Sequence, residues 1–444
     1  MLSSYQNNPN TIKANAFQLN EVRLYTNLNQ DDQWIDLKSN VSSLTIKESL
    51  LSNGITADIG ISDGRSLLEA FKITGNEKIE LHISRHEITG DTKEYHLELY
   101  IAEINQYSRT QAGSQNYTLK CISLHLYNNQ FITIVKPFSG SYGKTIENIC
   151  KSDLKISGDK LDISTFTGNG KGIFPRLKPL YAIQWLLKNC TDEGTPFFFY
   201  ETIQGKIKLK SYKELLDQDV YAEYNNLPFT DNDITKNDDA VGAFNEELRK
   251  IRSLSSDFNI SKYKSGSEGV YGSQLFNFDI STKQSEKISY NFKESKQKQL
   301  NDNKSYSDNV EFIGRKVDQI TEGKNYFVSQ NSLSFDNEKN YHNSFGQNSL
   351  ESASRLFNLN ALTKDLTIAG DFDLELGSIL DLNIQRVGAD PNEESKDQYL
   401  SGKYLLTGKI HTFTGEGYFM KIKVKKDSFL ESADEILKIK RENT

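Results

Sequence analysis

Two glycine-rich segments have the composition of phosphate-binding loops, whose backbone N–H groups can cradle an anion. Residues 140–145 read Gly-Ser-Tyr-Gly-Lys-Thr, but the loop pattern needs a glycine at position 138, where this chain has Phe138. No apolar strand leads into the segment, so we expect a helix to begin here. Residues 168–172 read Gly-Asn-Gly-Lys-Gly and are followed by Pro175, which favours a flexible loop.

The histidines and acidic residues show no metal-ligand spacing. The chain has 6 histidines, at positions 82, 86, 96, 125, 342 and 411, and none forms an HExxH pair. His82 and His86 lie in a strand region, where that spacing does not chelate as it would on a helix. Asp371, Asp373 and Glu375 alternate with apolar residues, as on the wet face of a strand. The acidic run at 231–239 lacks the glycine of a calcium loop, so we predict no metal site.

Candidate nucleophiles are equally sparse. No GxSxG sequence occurs, and the 3 cysteines, at positions 121, 150 and 190, form no CxxC pair. We expect these cysteines to be buried reduced thiols. The sequence therefore predicts no catalytic residue and no cofactor.

Composition narrows the class of protein. The chain has 444 residues and a mass of 50.5 kDa, which predicts more than one domain. Its formal net charge of -7, with 53 basic and 60 acidic residues, argues against nucleic-acid binding as the main function. It begins without the basic and apolar regions of a signal peptide, and no apolar run reaches about 18 residues. We expect a protein without a membrane segment.

The first 130 residues alternate apolar and polar residues with period two. One such face carries Ile55, Ala57, Ile59 and Ile61, and similar faces recur at 79–83, 95–101 and 117–121. Turn clusters separate these segments, which predicts antiparallel strands in a barrel or sandwich. From about residue 138 the spacing becomes helical, at 142–152 and at 179–190 behind Pro179. A hairpin is predicted from the buried strand 196–200 into 206–210.

Alternation returns after residue 245, at 276–280 and 288–292. Residues 294–345 are dominated by polar residues, with one weak strand at 326–328. A helix is predicted around 350–357, followed by strands at 364–370, 378–385, 403–413 and 417–425. Ser432 and Glu435 could cap a short final helix.

A series of short motifs follows in order along roughly residues 20–425. Its segments are 73–79, 136–144, 179–186, 197–201, 370–379, 401–405, and His411 with Phe413. This ordered series resembles the baseplate hub proteins of T-even-like contractile-tailed bacteriophages. The motif positions, to which the resemblance gives a structural role, are Gly75, Asn76, Glu77, Pro179, Trp185, Phe198, Tyr200, Gly370, Asp371, Ser401, Gly402, Lys403 and Tyr404. The order of the segments carries the resemblance, because each one alone is short.

The resemblance implies a mainly β fold with a small α+β region, built from two tail-tube-like antiparallel β-barrels and a helical insert domain. On this basis 1–135 is the first barrel, 136–240 the helical domain, and 241–293 with 346–428 the second barrel. Residues 294–345, a polar insertion, and 429–444, a tail helix, match no part of the resemblance. The short apolar stripe of the tail helix predicts that it docks either on its own chain or on the spike. We expect the two barrels to be structural duplicates of each other.

The function implied by the resemblance is structural. Such a hub is a homotrimer with pseudo-sixfold symmetry that adapts a hexameric tail tube to a trimeric central spike and surrounds the channel through which DNA passes. Its partners are the spike, the tail tube and the baseplate wedge proteins, in a virion tail assembled in the host cytoplasm. Two other functions stay open: a tail-associated cell-wall or polysaccharide hydrolase, and a carbohydrate-binding β protein in which an aromatic residue such as Trp34 stacks on sugars.

Overall fold

Strands dominate this computed structural model, which describes residues 14–26, 34–86, 91–111, 113–164, 169–188, 190, 192, 194–226, 240–258, 262–295, 298–301, 311–312, 314–316, 319–330, 339–387, 396–428 and 430. The strands are β1 (Gln18–Tyr25), β2 (Trp34–Asp36), β3 (Val41–Ser49), β4 (Thr56–Asp63), β5 (Lys78–His86), β6 (Thr92–Gln111), β7 (Ser114–Ser123), β8 (Pro137–Ser141), β9 (Leu161–Ile163), β10 (Asn169–Ile173), β11 (Phe197–Glu201), β12 (Ile207–Ser211), β13 (Val220–Asn226), β14 (Ser253–Phe258), β15 (Gly272–Asp279), β16 (Gln284–Asn291), β17 (Glu311–Phe312), β18 (Arg315–Lys316), β19 (Lys324–Gln330), β20 (Leu362–Ala369), β21 (Ile379–Ile384), β22 (Gly402–Thr414) and β23 (Gly417–Lys426).

Short helices connect and cover the strands. They are α1 (Leu67–Phe71), α2 (Leu124–Phe131), α3 (Tyr142–Asn148), α4 (Pro179–Leu187), α5 (Tyr212–Leu216), α6 (Ala240–Leu248), α7 (Lys262–Ser267) and α8 (Lys339–Leu359). A π-helical turn, Ile149–Asp153, continues α3. The prediction of a mainly β chain with a small α+β region is confirmed.

The first unit of the fold is the antiparallel series β2-β1-β5-β6-β7-β4-β3. Its inner face is the apolar face that the alternation predicts: Ile55, Ala57, Ile59 and Ile61 are each at most 1% exposed. The outer face carries the intervening polar residues. Alternation therefore identified both the strands and their buried side, because one face of each strand packs on a shared core.

The second unit is the series β14-β20-β23-β22-β21-β13. Its pairings are antiparallel except for β13 with β21, which run parallel. The two ends of the series meet, because the Asn225 N–H donates to the Arg249 carbonyl and the Ile251 N–H donates to the Asn225 carbonyl. Its inner face joins the same hydrophobic core as the first unit.

A single strand connects the two units into one sheet. The first part of β22, residues 402–405, pairs with β21, and the part from Gly408 onward pairs with β3 of the first unit. Strand β23 pairs with β22 on the other side from Leu405 onward. A register shift between Leu406 and Gly408 separates the two parts. We call the β3–β22 ladder the seam.

The helical region has a core of its own. It contains α3, α4 and the strand pair β8 and β10, and its buried residues include Ile146, Ile149 and Leu186. The buried hairpin strand β11 connects this core to the large one: Phe198 and Tyr200 belong to the large core, and Phe199 belongs to the helical one. The prediction of a strand buried on both faces is confirmed.

A separate three-stranded sheet, β16-β15-β19, packs one face on α8. Residues 272–291, which the sequence analysis assigned to the second barrel, pair in this small sheet and not with the large one. Its β19 comes from the segment predicted to be a polar insertion. The alternation at 276–280 is present, but its aromatic face is the outer one, with Phe278 48% exposed. The division into domains and the duplication of the two barrels stay predictions.

One loop prediction is wrong. Residues 169–173 form β10, paired antiparallel with β8, and Gly170 lies opposite Gly140. Gly170 is required by packing, because a Cβ there would lie 2.3 Å from the Tyr142 hydroxyl. The other glycine-rich segment, 140–145, spans the end of β8 and the start of α3, so a helix begins there as expected. The final helix proposed at 432–439 lies outside the described residues.

Candidate interaction site at the seam

A buried ion pair joins the two units beneath the seam. Glu48 on β3 accepts a hydrogen bond from the Lys409 ammonium at 2.6 Å, and both side chains are fully buried. The Nε2 atom of His411 lies 2.9 Å from the same carboxylate oxygen, Oε1. Lys409 and His411 are alternate residues of β22, so their side chains point to the same face as Glu48. Each unit therefore contributes one side of the pair.

Glu48 also ties the helical region to the seam. Its second oxygen, Oε2, accepts a hydrogen bond from the backbone N–H of Ile203, at the turn after β11, at 2.9 Å. Lys409 donates to the Leu374 carbonyl at 2.5 Å, and the Nδ1 atom of His411 lies 2.7 Å from the Tyr418 hydroxyl. The cluster thus contacts three parts of the chain, and its polar atoms have partners, as buried charges require.

The electrostatics of the cluster favour a charged Glu48 and a neutral His411. Burial alone raises the pKa of the Glu48 carboxyl, but Lys409 and His411 outweigh burial and lower that pKa to about 2. Burial, together with the charge on Lys409, lowers the pKa of His411 despite its hydrogen bond to Glu48. With Glu48, Lys409 and His411 withdrawn from solvent, the cluster can hold the units together but cannot meet a substrate.

A pocket of about 390 Å³ opens on the outer side of the seam. The residues around it come from β3, the start of β4 with the turn before it, β20, β22 and β23, and include Lys47, Ile410, Lys421, Lys423 and Asp365. It lies where β22 changes partners, above the backbone of Gly408. Among the described residues, no group of three or more histidines, cysteines and acids is placed to hold a metal ion.

The first predicted motif, Gly75, Asn76 and Glu77, forms a turn. The Glu77 carboxylate, 3% exposed, accepts hydrogen bonds from the backbone N–H groups of Thr74 and Gly75, both at 2.9 Å. Gly75 has a positive φ of 90°, which favours glycine. Asn76 is exposed. The motif closes the entry to β5 and lies apart from the seam cluster.

The motif residues of the helical region are packing residues. Pro179 is the first residue of α4, and Trp185 on that helix packs edge-on against Phe138, with ring centroids 6.0 Å apart. Phe198 and Tyr200 are the two β11 residues that enter the large core. Burial raises the pKa of the Tyr200 hydroxyl, which therefore stays neutral.

Asp371 requires a correction. We expected it to lie with Asp373 and Glu375 on the wet face of a strand, but residues 371–378 form no strand and Asp371 is 2% exposed. Its carboxylate accepts hydrogen bonds from the Tyr221 hydroxyl at 2.9 Å and from Arg249 at 3.3 Å, which compensate its burial. The neighbouring Gly370 packs against the Tyr418 ring, where a Cβ would approach within 1.9 Å.

The last motif, Ser401 to Tyr404, begins β22. The Ser401 carbonyl accepts a hydrogen bond from the buried Lys426 ammonium at 2.8 Å, and Lys426 also lies 4.9 Å from the Tyr404 ring centroid. Gly402 has a φ of 114°, and the Lys403 N–H donates to the Asn301 side chain at 2.8 Å. Burial and the nearby Lys364 lower the pKa of Lys426 to about 7.

Sequence analysis missed the two charged residues at the centre of the seam. A signal was available, because Glu48 follows Leu44 and Ile46 at the inward positions of β3, and Lys409 precedes Phe413 by four residues on β22. A charged residue in the register of a core face predicts a buried pair. It does not predict which partner strand supplies the opposite charge.

Comparison with known proteins places this fold among phage tail proteins. The chain superposes on a tail protein from Neisseria meningitidis MC58 with a TM-score of 0.52 and 12% identity, covering 92% of this chain and 96% of that one. It superposes on the 43 kDa tail protein of prophage MuSo2 from Shewanella oneidensis with a TM-score of 0.51 and 10% identity, covering 92% and 99%. No protein-family model and no curated protein matches the sequence.

The fold is therefore that of phage tail proteins, over nearly the full length of both chains. At 10–12% identity the likeness is one of fold. None of the described helices combines the length and the apolar character that crossing a membrane requires.

Proposed function

We propose that this chain is a structural hub of a phage tail baseplate, a homotrimer that adapts a hexameric tail tube to a trimeric spike and surrounds the DNA channel. The observation that carries the proposal is the seam, because β22 makes one sheet of two units. Two sheet units in each of three chains supply six similar positions around a ring, which is the arrangement a six-to-three adaptor needs.

The outer face of the large sheet supports this proposal. Its charges alternate in sign across neighbouring strands: Lys47 pairs with Asp58 at 2.6 Å, and Lys120 lies 3.7 Å from Glu103. On the described residues of β3, β4, β6 and β7 such a face is wet and its lysines are paired with carboxylates, so DNA could pass along it without being held. We assign the part of this face on β4, β6 and β7 to the channel and the helical region to the outside of the ring.

The strand β2 supports the assembly into a ring. It is short and forms one end of the large sheet among the described strands. Trp34 on β2 is 45% exposed and lies under the guanidinium of Arg23, 4.8 Å from its carbon. An open edge of this kind is satisfied by pairing with another chain. We expect an interface on the order of 2,000 Å² or more, as in obligate oligomers.

The test is the mass of the purified full chain in solution, together with negative-stain imaging, with and without the co-expressed spike protein. A trimer with a central hole and threefold symmetry is the expected result. A strictly monomeric chain under both conditions contradicts the proposal, and so does release of soluble fragments from purified cell wall, which would indicate a hydrolase.

A matched pair of variants locates the interface. Trp34→Lys places a charge on β2 and should abolish the trimer. Tyr107→Lys, on the inner strand β6, changes a residue that is 56% exposed and should leave the trimer intact. Equal effects of the two substitutions would remove β2 from the interface.

A further inference from the structure

The pocket above the seam owes its depth to one residue. Gly408 follows the register shift of β22 and presents no side chain, so the sheet surface is recessed between Ser49 on β3 and Lys423 on β23, the residues opposite Gly408. A Cβ at Gly408 would make only ordinary contacts, at 3.6 Å or more. A larger residue would therefore fit at position 408, and the recess exists because the residue there is glycine.

The rim of the pocket keeps a net positive charge at two lysines. The side chains of Lys421 and Lys423 are 55% and 50% exposed, whereas Lys47, on the other side of the pocket, is paired with Asp58 at 2.6 Å. Two carboxylates border the pocket: Glu48 is buried and paired with Lys409, and Asp365 lies 3.5 Å from Lys421 and 3.7 Å from Lys423. One carboxylate cannot neutralise both ammonium groups, so Lys421 and Lys423 keep donors for a further anion.

The floor of the pocket is apolar at its centre. Ile410, half-buried on the outer face of β22, lies beside the recess at Gly408. A ligand that fits must therefore combine negative charges for Lys421 and Lys423 with an apolar group beside them. A phosphate or another small anion would use the rim and leave the floor uncovered.

The surroundings of the pocket favour a peptide over a nucleic acid. Asp58 lies on the neighbouring strand β4, and Glu103 lies on β6 of the same face. A nucleic acid gains affinity by contacting a row of basic residues, and these carboxylates interrupt such a row. A short acidic peptide needs only Lys421 and Lys423.

We propose that this pocket is a binding site for a short acidic peptide segment of a partner protein, with an apolar side chain seated over Gly408 and carboxylates on Lys421 and Lys423. The site does not depend on the ring, because all of its residues belong to one chain. It assigns a recognition role to the outer side of the seam, whose inner side holds the buried pair.

The experiment is fluorescence anisotropy of the full chain with a labelled peptide of alternating glutamate and leucine residues. A peptide with lysine in place of glutamate and a single-stranded oligonucleotide serve as competing probes. We expect the acidic peptide to bind most tightly and its affinity to fall with rising salt. No binding of the acidic peptide, or tighter binding of the oligonucleotide, would overturn the proposal.

Variants separate the pocket from general charge. Lys421→Gln combined with Lys423→Gln should raise the apparent Kd about tenfold. Lys120→Gln is the matched control, because Lys120 has a 47% exposed side chain on the same face, 3.7 Å from Glu103, and lies outside the pocket. It should leave the Kd unchanged. An equal loss of affinity in the control would mean that the peptide binds through the net charge of the protein and not at this site.

Gly408→Val tests the floor without altering any charge. The added side chain fills the recess, so the Kd should rise. The circular dichroism spectrum and the unfolding midpoint should stay close to those of the parent. Retained affinity in a folded Gly408→Val variant would contradict the seating of an apolar side chain over Gly408.

Discussion

Two neighbouring residues of β3 form ion pairs of the same length on opposite faces of the large sheet. Lys47 pairs with Asp58 on the outer face, and Glu48 pairs with Lys409 on the inner face, each at 2.6 Å. The outer pair is partly exposed, whereas the inner pair is fully buried. Water competes less for a buried ion pair than for an exposed one. Removing one partner should therefore destabilise the protein far more at the inner pair than at the outer pair, although the two distances are equal.

The largest expected effect comes from breaking the inner pair. Glu48→Ala leaves the Lys409 ammonium buried without its counter-charge and leaves the Ile203 N–H without an acceptor. We expect a loss of about 3–5 kcal/mol in the free energy of unfolding. Urea unfolding followed by fluorescence and circular dichroism measures it.

A double variant separates the pair from its surroundings. Replacing both partners, as Glu48→Leu with Lys409→Met, removes the two charges together and should recover part of the loss. If the double variant is as unstable as the sum of the two single variants, the two side chains do not interact and the pair does not connect the units.

The same contrast between two faces recurs in the small sheet, where the sequence pattern was ambiguous. Leu275 faces α8 and is 2% exposed, whereas Phe327, on the outer face of the neighbouring β19, is 79% exposed. Leu275→Ala should cost about 2–5 kcal/mol through the cavity it leaves. Phe327→Ser should change the stability by less than about 1 kcal/mol.

Hydrogen exchange of the β15 and β16 amides measures both variants within the whole chain. Faster exchange in Leu275→Ala and unchanged exchange in Phe327→Ser is the expected pattern. The reverse pattern would mean that the aromatic face, not the face on α8, holds the small sheet together.

These elements show what the sequence could predict. Alternation located β4, β5, β6 and β7, and it gave their buried faces, because only one face of each is apolar. At 272–279 both faces carry apolar residues, Leu275 on one and Phe276 with Phe278 on the other. Which face is covered depends on α8, a distant segment that periodicity does not place.

The seam was beyond prediction for a related reason. The predicted motif residues lie in turns and packing positions around the seam cluster, while Glu48 and Lys409 are 361 residues apart in the chain. The two residues pair because β22 pairs first with β21 and then with β3. This change of partner depends on tertiary packing, and no local sequence pattern predicts it. Asp371 was misassigned for the same reason, because Arg249 compensates its burial from another element.

The inner cluster also predicts a pH dependence of stability. The pKa of His411 is lower in the folded chain than its usual value of 6.5, so below that pH the unfolded chain binds a proton that the folded chain does not. Stability should fall as the pH decreases from 6.5, by at most about 1.4 kcal/mol per pH unit. Glu48, whose pKa is lowered to about 2, adds a further loss between its ordinary pKa of 4.5 and that value.

His411→Gln removes the first of these two titrations. Unfolding at a series of pH values should show a shallower slope just below pH 6.5 in the variant, and an unchanged loss below pH 4.5. An identical slope in both proteins would assign the proton uptake to other groups.

The smallest expected effect lies on the outer face. Asp58→Asn leaves Lys47, whose side chain is 47% exposed, free to be solvated by water, so no buried charge is created. We expect the free energy of unfolding to change by less than about 1 kcal/mol, and by less still at high salt, where exposed charges are screened. Urea unfolding at low and high ionic strength measures both. A loss comparable to that of Glu48→Ala would mean that the outer face is covered in the folded assembly, which the proposed trimer would have to explain by placing another chain over β4.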